Sequence, residues 1–319
     1  MRIVILHSAI TENADPDEQD TLVQVNAIYR ALEKLGNKVI SLPFILDFST
    51  LSSALQKYQP TLVFNLVESV LGRTELIHLP PLYLEQLNIP YTGSNANALF
   101  LSSDKCLSKR LLQAENITTP EWLETETVFP ANGPYLVKSV LEDGSLGLDR
   151  DSLVYDQQQL IKIIHDRRQR FGGKWFAERY IAGREFNIAL LAGPQGPEVL
   201  PIAEIQFANL PLPIVDYAAK WYPDSVEYQA TTSCFNFNEQ DKLLFKKLIE
   251  LSLHCWKVFK FSGYARVDVR VDQNGQPWVL EVNANPCLSP DAGFIAAAEQ
   301  AGLDYNDVVK RIIDASKQC

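Results

Sequence analysis

Two carboxylates, an arginine and an asparagine in one short stretch are spaced for metal-assisted chemistry. The stretch is Gly263–Pro286, GYARVDVRVDQNGQPWVLEVNANP. Arg266 to Asp272 alternates polar and apolar, the period of a strand with one buried face. Asn274-Gly275 is a strong hairpin signal, since a two-residue turn needs both residues at positive φ. Trp278 to Asn283 alternates again. A loop centred on Asn274-Gly275 sets Asp268 opposite Glu281 and Arg266 opposite Asn283. It also gives Val267, Val269 and Val271 one face with Trp278, Leu280 and Val282. Facing carboxylates repel, so the pattern calls for a divalent cation between them. An all-oxygen donor set suits Mg²⁺ or Mn²⁺ rather than zinc. The bland alternative is a solvated hairpin face. It has no account of the turn Asn283-Ala284-Asn285-Pro286 that follows.

Two further features could handle an anion. Pro134–Lys138 reads as a buried strand that delivers Lys138 at its end, although a lone lysine more often snorkels at a surface. Leu141–Gly147, LEDGSLG, is a mobile loop whose N–H groups can approach a phosphate. Ser145 within it has no histidine in a supportive motif, which argues against a nucleophilic role. His7, His78, His165 and His254 show no ligand spacing. Cys287 lies near the hairpin, and a lone cysteine is more often an apolar filler than a nucleophile.

The elements that must carry these residues alternate in type. Apolar strands at Ile3–Leu6, Lys38–Leu42 and Thr61–Leu66 are separated by helical periods at Gln19–Leu35 and Leu51–Tyr58, with a further helix at Leu79–Leu87. That alternation implies a Rossmann-like parallel sheet. No G-x-G-x-x-G follows the first strand, which argues against a dinucleotide. The polar loop Thr11–Asp20 sits where open α/β sheets hold ligands. Ser103-Asp104 starts a helix. Helices at Gln157–Arg170 and Leu243–Phe259 and strands at Trp175–Tyr180 and Glu185–Leu191 lead to the hairpin. Pro211–Tyr228 lacks a clean period and reads as a long ordered loop. Asp291–Gly302 and Asp304–Ser316 are closing helices.

Composition narrows the function. With 319 residues the chain can form two or three domains around substantial cores. A net charge of −10 argues against nucleic acid as the partner. Five cysteines without paired spacing suit a reducing compartment. The short apolar start, followed by acids, is a first strand rather than a signal peptide, and no run reaches transmembrane length. The reading is a cytoplasmic protein with no membrane partner.

With these pieces in place the chain resembles the ATP-grasp superfamily, and within it the D-alanine–D-alanine ligases. The resemblance rests on Tyr91–Ser94 with Asp104-Lys105, on the strand ending in Lys138, on Glu178–Phe186 (ERYIAGREF), on Asp216–Lys220 (DYAAK) and on the hairpin itself. It implies a mixed α/β and α+β fold, a three-domain ATP-grasp with an N-terminal Rossmann-like sheet: 1–94, 95–179 and 180–319. It implies that Lys105 and Lys138 hold the phosphates of ATP. Glu178 and Ile181 meet the adenine, Ile181 through its backbone, and Glu185 takes the ribose. Asp268, Glu281 and Asn283 bind two Mg²⁺ (or Mn²⁺) ions. Arg266 stabilises an acyl phosphate, Lys220 sits in a closing lid, and Ser145 lies over the phosphates. The implied activity joins two amino-acid-like or peptide substrates through an acyl phosphate. A homodimer is common in the family.

The sequence departs from the family on the substrate side. Trp221 follows Lys220 where the family has tyrosine. Cys287 replaces a glycine, and Ala292 a serine that holds the acceptor's carboxylate. Asn65–Arg73 replaces the family's first-domain loop. The glutamate for the first substrate's ammonium has no secure match, with Glu18 or Asp20 nearest. Three readings follow: a ligase with an altered substrate pocket, a true D-alanine–D-alanine ligase of cell-wall synthesis, and a nucleotide-binding module without turnover.

Overall fold

The computed structural model describes residues 1–319 apart from 12–13, 125–128, 131–132, 142–143 and 317–319. Three sheets carry the chain. The first is parallel, in the order β2-β1-β3. It comprises β1 (Arg2–Ser8), β2 (Lys38–Phe44) and β3 (Leu62–Leu66), connected by α1 (Pro16–Lys34) and α2 (Phe48–Tyr58). β3 is buried along its whole length, as a parallel strand covered on both faces should be. Then α3 (Leu79–Gln86), α4 (Ala96–Ser103) and α5 (Lys105–Ala114) lead away from it. Asp104 caps α5 by accepting from Leu107 N (2.9 Å).

The second sheet is antiparallel, β4-β7-β5-β6: β4 (Trp122–Leu123), β5 (Tyr135–Ser139), β6 (Leu153–Val154) and β7 (Trp175–Arg179), with α6 (Gln157–Phe171) across it. The third holds β8 (Gly183–Gly193), β9 (Gly196–Val199), β10 (Ala203–Phe207), β11 (Thr231–Cys234), β12 (Tyr264–Asp272) and β13 (Pro277–Asn283). The segment expected to be a loop contains two short helices, α7 (Tyr217–Trp221) and α8 (Val226–Ala230). Their starts are set by Asp216, which accepts from Ala219 N, and Ser225, which accepts from Tyr228 N. These caps act without any hydrophobic period, which is why a period-based reading passes over them. Helices α9 (Lys242–Phe259), α10 (Gly293–Gln300) and α11 (Tyr305–Ser316) complete the chain. No described helix is long and apolar enough to cross a membrane.

Two cores fix the site. Ile3, Ile5 and Ile28 from the first sheet and α1 share one core with Leu191, Tyr264, Phe294 and Ile312. A second core packs Leu99 and Leu112 of α4 and α5 under Ile188, Val267 and Val279 of the third sheet. The Tyr91–Ser94 motif lies where these parts cross. Ser262 Oγ donates to Gly93 O (2.7 Å), and a Cβ on Gly263 would come within 3.1 Å of Gly93 backbone. Gly263, at φ 71°, is therefore required on both conformation and space.

Candidate active site

The hairpin β12–β13 sets the site. Asp268 pairs with Glu281 and Arg266 with Asn283 in the expected register. Nearer the turn the register differs by one residue: Val269 faces Val279 and Arg270 faces Trp278. Of the turn pair only Gly275 has positive φ. The turn is held by Asp272, whose Oδ1 accepts from Asn274 N (2.9 Å) and Gln276 N (3.0 Å). A bulge at Leu280 then restores the register at the acids. The valines of β12 therefore share their buried face with Val279 and Val282, not with Trp278 and Leu280. Leu280 instead joins the wall of the cavity that also holds the acids.

Arg266 grips Asp268 through two bonds, Nε to Oδ1 (2.7 Å) and Nη2 to Oδ2 (2.8 Å). Asn187 Nδ2 on β8 adds a third, to Oδ1 (2.9 Å). Burial pushes the Asp268 carboxyl up, and Glu281 adds to this against the pull of Arg266. Burial also disfavours charge on Glu281, but Lys105, then Lys220 and Lys138, more than offset it and hold Glu281 below the carboxylate range. Lys105 Nζ lies 3.9 Å from Glu281 Oε2. The donor set is thus two carboxylates and an amide from adjacent strands, one carboxyl of which is destabilised as an anion by its partner. A hard divalent cation fits that chemistry.

A second charged centre lies under the strand that presents Lys138. Glu178, 2% exposed, is paired with Lys138 (2.5 Å) and with Lys109 (2.8 Å), itself 1% exposed. Burial opposes the Glu178 charge, and the two ammonium groups reverse this and keep its pKa low. Lys109 Nζ also donates to Thr119 Oγ1 (2.8 Å). Arg270 is another buried cation. It pairs with Glu185 (2.7 Å), donates to Ile181 O (3.2 Å) and reaches Pro213 O at the root of the α7 segment.

Helix α7 closes over the cavity mouth. Trp221 Nε1 donates to Gly144 O (2.9 Å), and Ser145 Oγ donates to Val215 O (2.8 Å). Tyr217 OH donates to Asp17 Oδ1 at the start of α1 (2.8 Å). Ser145 holds a φ of 65°. The loop it belongs to was expected to be mobile, but Glu142 and Asp143 lie outside the described residues. Lys220 projects from α7 near enough to Asp268 and Glu281 to favour their charged forms.

All the residues singled out by sequence line one cavity of about 970 Å³: Lys105, Lys138, Ser145, Glu178, Ile181, Glu185, Lys220, Arg266, Asp268, Glu281 and Asn283. The sequence reading missed Lys109, Arg270 and Asn187. Signals for them existed. Lys109 falls on the buried face of α5 with Cys106 and Leu112, and Arg270 continues the 266, 268 alternation onto the same face.

The match to the family description D-ala D-ala ligase C-terminus spans residues 109–314. The chain belongs to the D-alanine–D-alanine ligase family. It is an ATP-dependent ligase that forms a carbon–nitrogen bond. It is 35% identical to a D-alanine–D-alanine ligase of Chromohalobacter salexigens over 240 residues, 73% of this chain and 71% of that one. It is 30% identical to the Aquifex aeolicus D-alanine–D-alanine ligase over 98% of this chain and 100% of that one. In fold it matches the Bacillus anthracis D-alanine–D-alanine ligase solved in complex with ATP, with a TM-score of 0.77 at 24% identity, covering 100% of this chain and 98% of that one. The fold is thus the ATP-grasp fold expected.

Proposed function

We propose that this ligase activates a carboxylate substrate as an acyl phosphate and transfers it to an amine, with a substrate pocket that differs from the family's. The observation that carries the reading is the convergence of widely separated segments on one cavity, with Asp268 and Glu281 paired across the hairpin.

The chemistry is assigned as follows. A carboxylate oxygen attacks the γ-phosphorus of ATP, the bond to ADP breaks, and an acyl phosphate forms. The amine then attacks the acyl carbon, losing a proton as the C–N bond forms, and phosphate leaves. Such transfer depends on positioning and charge neutralisation. Lys105 and Lys138 neutralise the phosphates. Glu178, held between Lys109 and Lys138, positions Lys138 as well as lining the adenine pocket with Ile181. Arg270 fixes Glu185 for the ribose. Asp268, Glu281 and Asn283 would hold Mg²⁺ or Mn²⁺, two ions on the family pattern, and the metal supplies charge neutralisation at the phosphate oxygens. Arg266 stabilises the acyl phosphate, and Ser145 and Lys220 close the phosphate side. Trp221 and Tyr217 lock α7 down, excluding the water that would hydrolyse the intermediate. We take 1–94, 95–179 and 180–319 as working domains, each containing one sheet, and the cytoplasm as the compartment.

The altered pocket is supported by the loop after β13. Cys287 Sγ donates to Asp20 Oδ2 (3.0 Å) and Ser289 Oγ to Asp20 Oδ1 (2.5 Å), with Ala292 beside them on the cavity wall. Phosphate release with ATP, Mg²⁺ and a panel of D- and L-amino acids and dipeptides, with products read by mass spectrometry, tests the activity. A silent panel would contradict it. The second reading, true D-alanine–D-alanine ligation, is favoured by the relatives named above. ADP release with D-alanine as sole substrate would establish it.

A further inference from the structure

A buried cation on the nucleotide side of the cavity does more than support the ribose acid, and the inference rests on the ribose and lid assignments of the ligase reading. Arg270, 3% exposed, stands on β12 directly opposite Glu185 on β8. Its Nε (2.9 Å) and Nη2 (2.7 Å) both reach Glu185 Oε2. Glu185 lines the cavity, and among the described residues none donates to its Oε1. Nη1 donates to Ile181 O (3.2 Å) and to Tyr180 OH (3.3 Å), on the segment that joins β7 to β8. Nη2 also donates to Pro213 O. Every N–H of the guanidinium is thereby engaged. The Tyr180 and Phe207 rings flank it, with centroids 5.4 Å and 5.7 Å from the guanidinium carbon. Pro213 is the root of the α7 segment. Just beyond it, Ile214 packs in a small core with Leu136 and Leu148, Val215 O accepts from Ser145 Oγ (2.8 Å), and Asp216 caps α7. One side chain therefore ties together the connection between the second and third sheets, the acid assigned to the ribose, and the root of the lid.

We propose that Arg270 is a positioning residue that makes lid closure depend on the nucleotide's ribose hydroxyls. Hydroxyls donating to Oε1 fix the Glu185 carboxylate from the cavity side. Oε2 then stays aimed at Arg270, and the guanidinium at Pro213 O. A nucleotide without those hydroxyls leaves the carboxylate free to turn toward water in the cavity. The guanidinium follows its charge partner, and the lid root loses its tie. Lysine cannot take this part, because its ammonium is a point charge without the rigid planar fork that spans these acceptors.

Hydrogen exchange read by mass spectrometry over residues 211–228 tests this on the full chain. The protein is saturated with Mg²⁺ and either ADP or 2′,3′-dideoxy-ADP, with saturation set from the Kd measured by calorimetry. Exchange from a segment that opens locally reports its opening equilibrium. ADP should slow lid exchange more than the dideoxy nucleotide by about 5- to 150-fold, the range of coupling between two sites. Arg270→Lys should bring the two nucleotides to within about twofold of each other. A merely structural role for Arg270 would speed exchange equally with both nucleotides and leave their ratio unchanged. Arg270→Gln makes the same comparison if Arg270→Lys does not fold, and the wild-type comparison needs no variant. Equal protection by the two bound nucleotides in the wild type overturns the inference and leaves the ligase reading intact. A difference that survives in the Arg270 variant overturns it as well. Failure of the wild type to bind ADP removes the nucleotide assignment and the inference with it.

Discussion

Replacing Lys109 by methionine isolates the buried charge centre beneath Lys138. The substitution keeps most of the volume and removes the ammonium that lies 2.8 Å from Glu178 and 2.8 Å from Thr119 Oγ1. Glu178 is then a 2% exposed carboxylate with Lys138 as its remaining ion-pair partner among the described residues. Removing one partner of a buried pair costs about 3–5 kcal/mol, because the other charge stays buried. The link also runs from α5 through Thr119 to Val279 O on β13 (2.8 Å), so the hairpin loses a support. Lys109→Met should therefore lower the unfolding free energy measured by urea denaturation by that amount and raise the KM for ATP, since Lys138 shifts toward Glu178. The double variant Lys109→Met, Glu178→Gln removes both charges and should recover part of the loss. Circular dichroism against urea measures all three proteins. A loss below about 1 kcal/mol, the level of a surface pair, would refute the reasoning.

Two further outcomes follow from other parts of the site. Trp221→Phe removes the indole donor to Gly144 O, a bond worth about 1 kcal/mol; the closed lid should open more often, and the ratio of amide product to phosphate released should fall. An unchanged ratio would mean that this bond does not guard the intermediate. Burial pushes the Cys255 thiol, 0% exposed, up to about 12 from an ordinary 9.0. The folded state thus holds its proton more tightly than the unfolded state. That stability is complete below pH 9.0 and is lost as pH rises toward 12. At pH 10 the loss is about 1.4 kcal/mol, and Cys255→Ala should show a flatter fall in urea midpoint between pH 8 and 10. Parallel falls would contradict the assignment.

Much of the architecture was legible because its signals are periodic. Buried parallel strands and amphipathic helices alternate in the first third, and the third sheet's valines mark its inner face. The hairpin shows where legibility stopped. Asn274-Gly275 marked the turn correctly, but Asp272 accepts two backbone bonds and extends the connection, so Asn274 stays at negative φ. The bulge at Leu280 absorbs the extra residue, and the acids meet as expected while Trp278 and Leu280 change faces. Neither the side-chain cap at Asp272 nor the bulge leaves a periodic trace. The short helices α7 and α8 were missed for a related reason: they depend on Asp216 and Ser225 rather than on an apolar stripe. Lys109, Arg270 and Asn187 are charged or polar residues on faces otherwise apolar or already assigned to chemistry. Their roles as partners of Glu178, Glu185 and Asp268 required pairs far apart in sequence, which only the fold brings together.

The claim on which the rest depends is that Asp268 and Glu281 hold a divalent cation beneath the nucleotide. Mn²⁺ titration of the protein with ADP, followed by electron paramagnetic resonance, tests it directly. Wild-type protein should bind Mn²⁺ with an affinity that Asp268→Asn or Glu281→Gln weakens by about 10- to 100-fold or more, with the circular dichroism spectrum unchanged. Mn²⁺ binding that survives both substitutions at full strength would contradict the account.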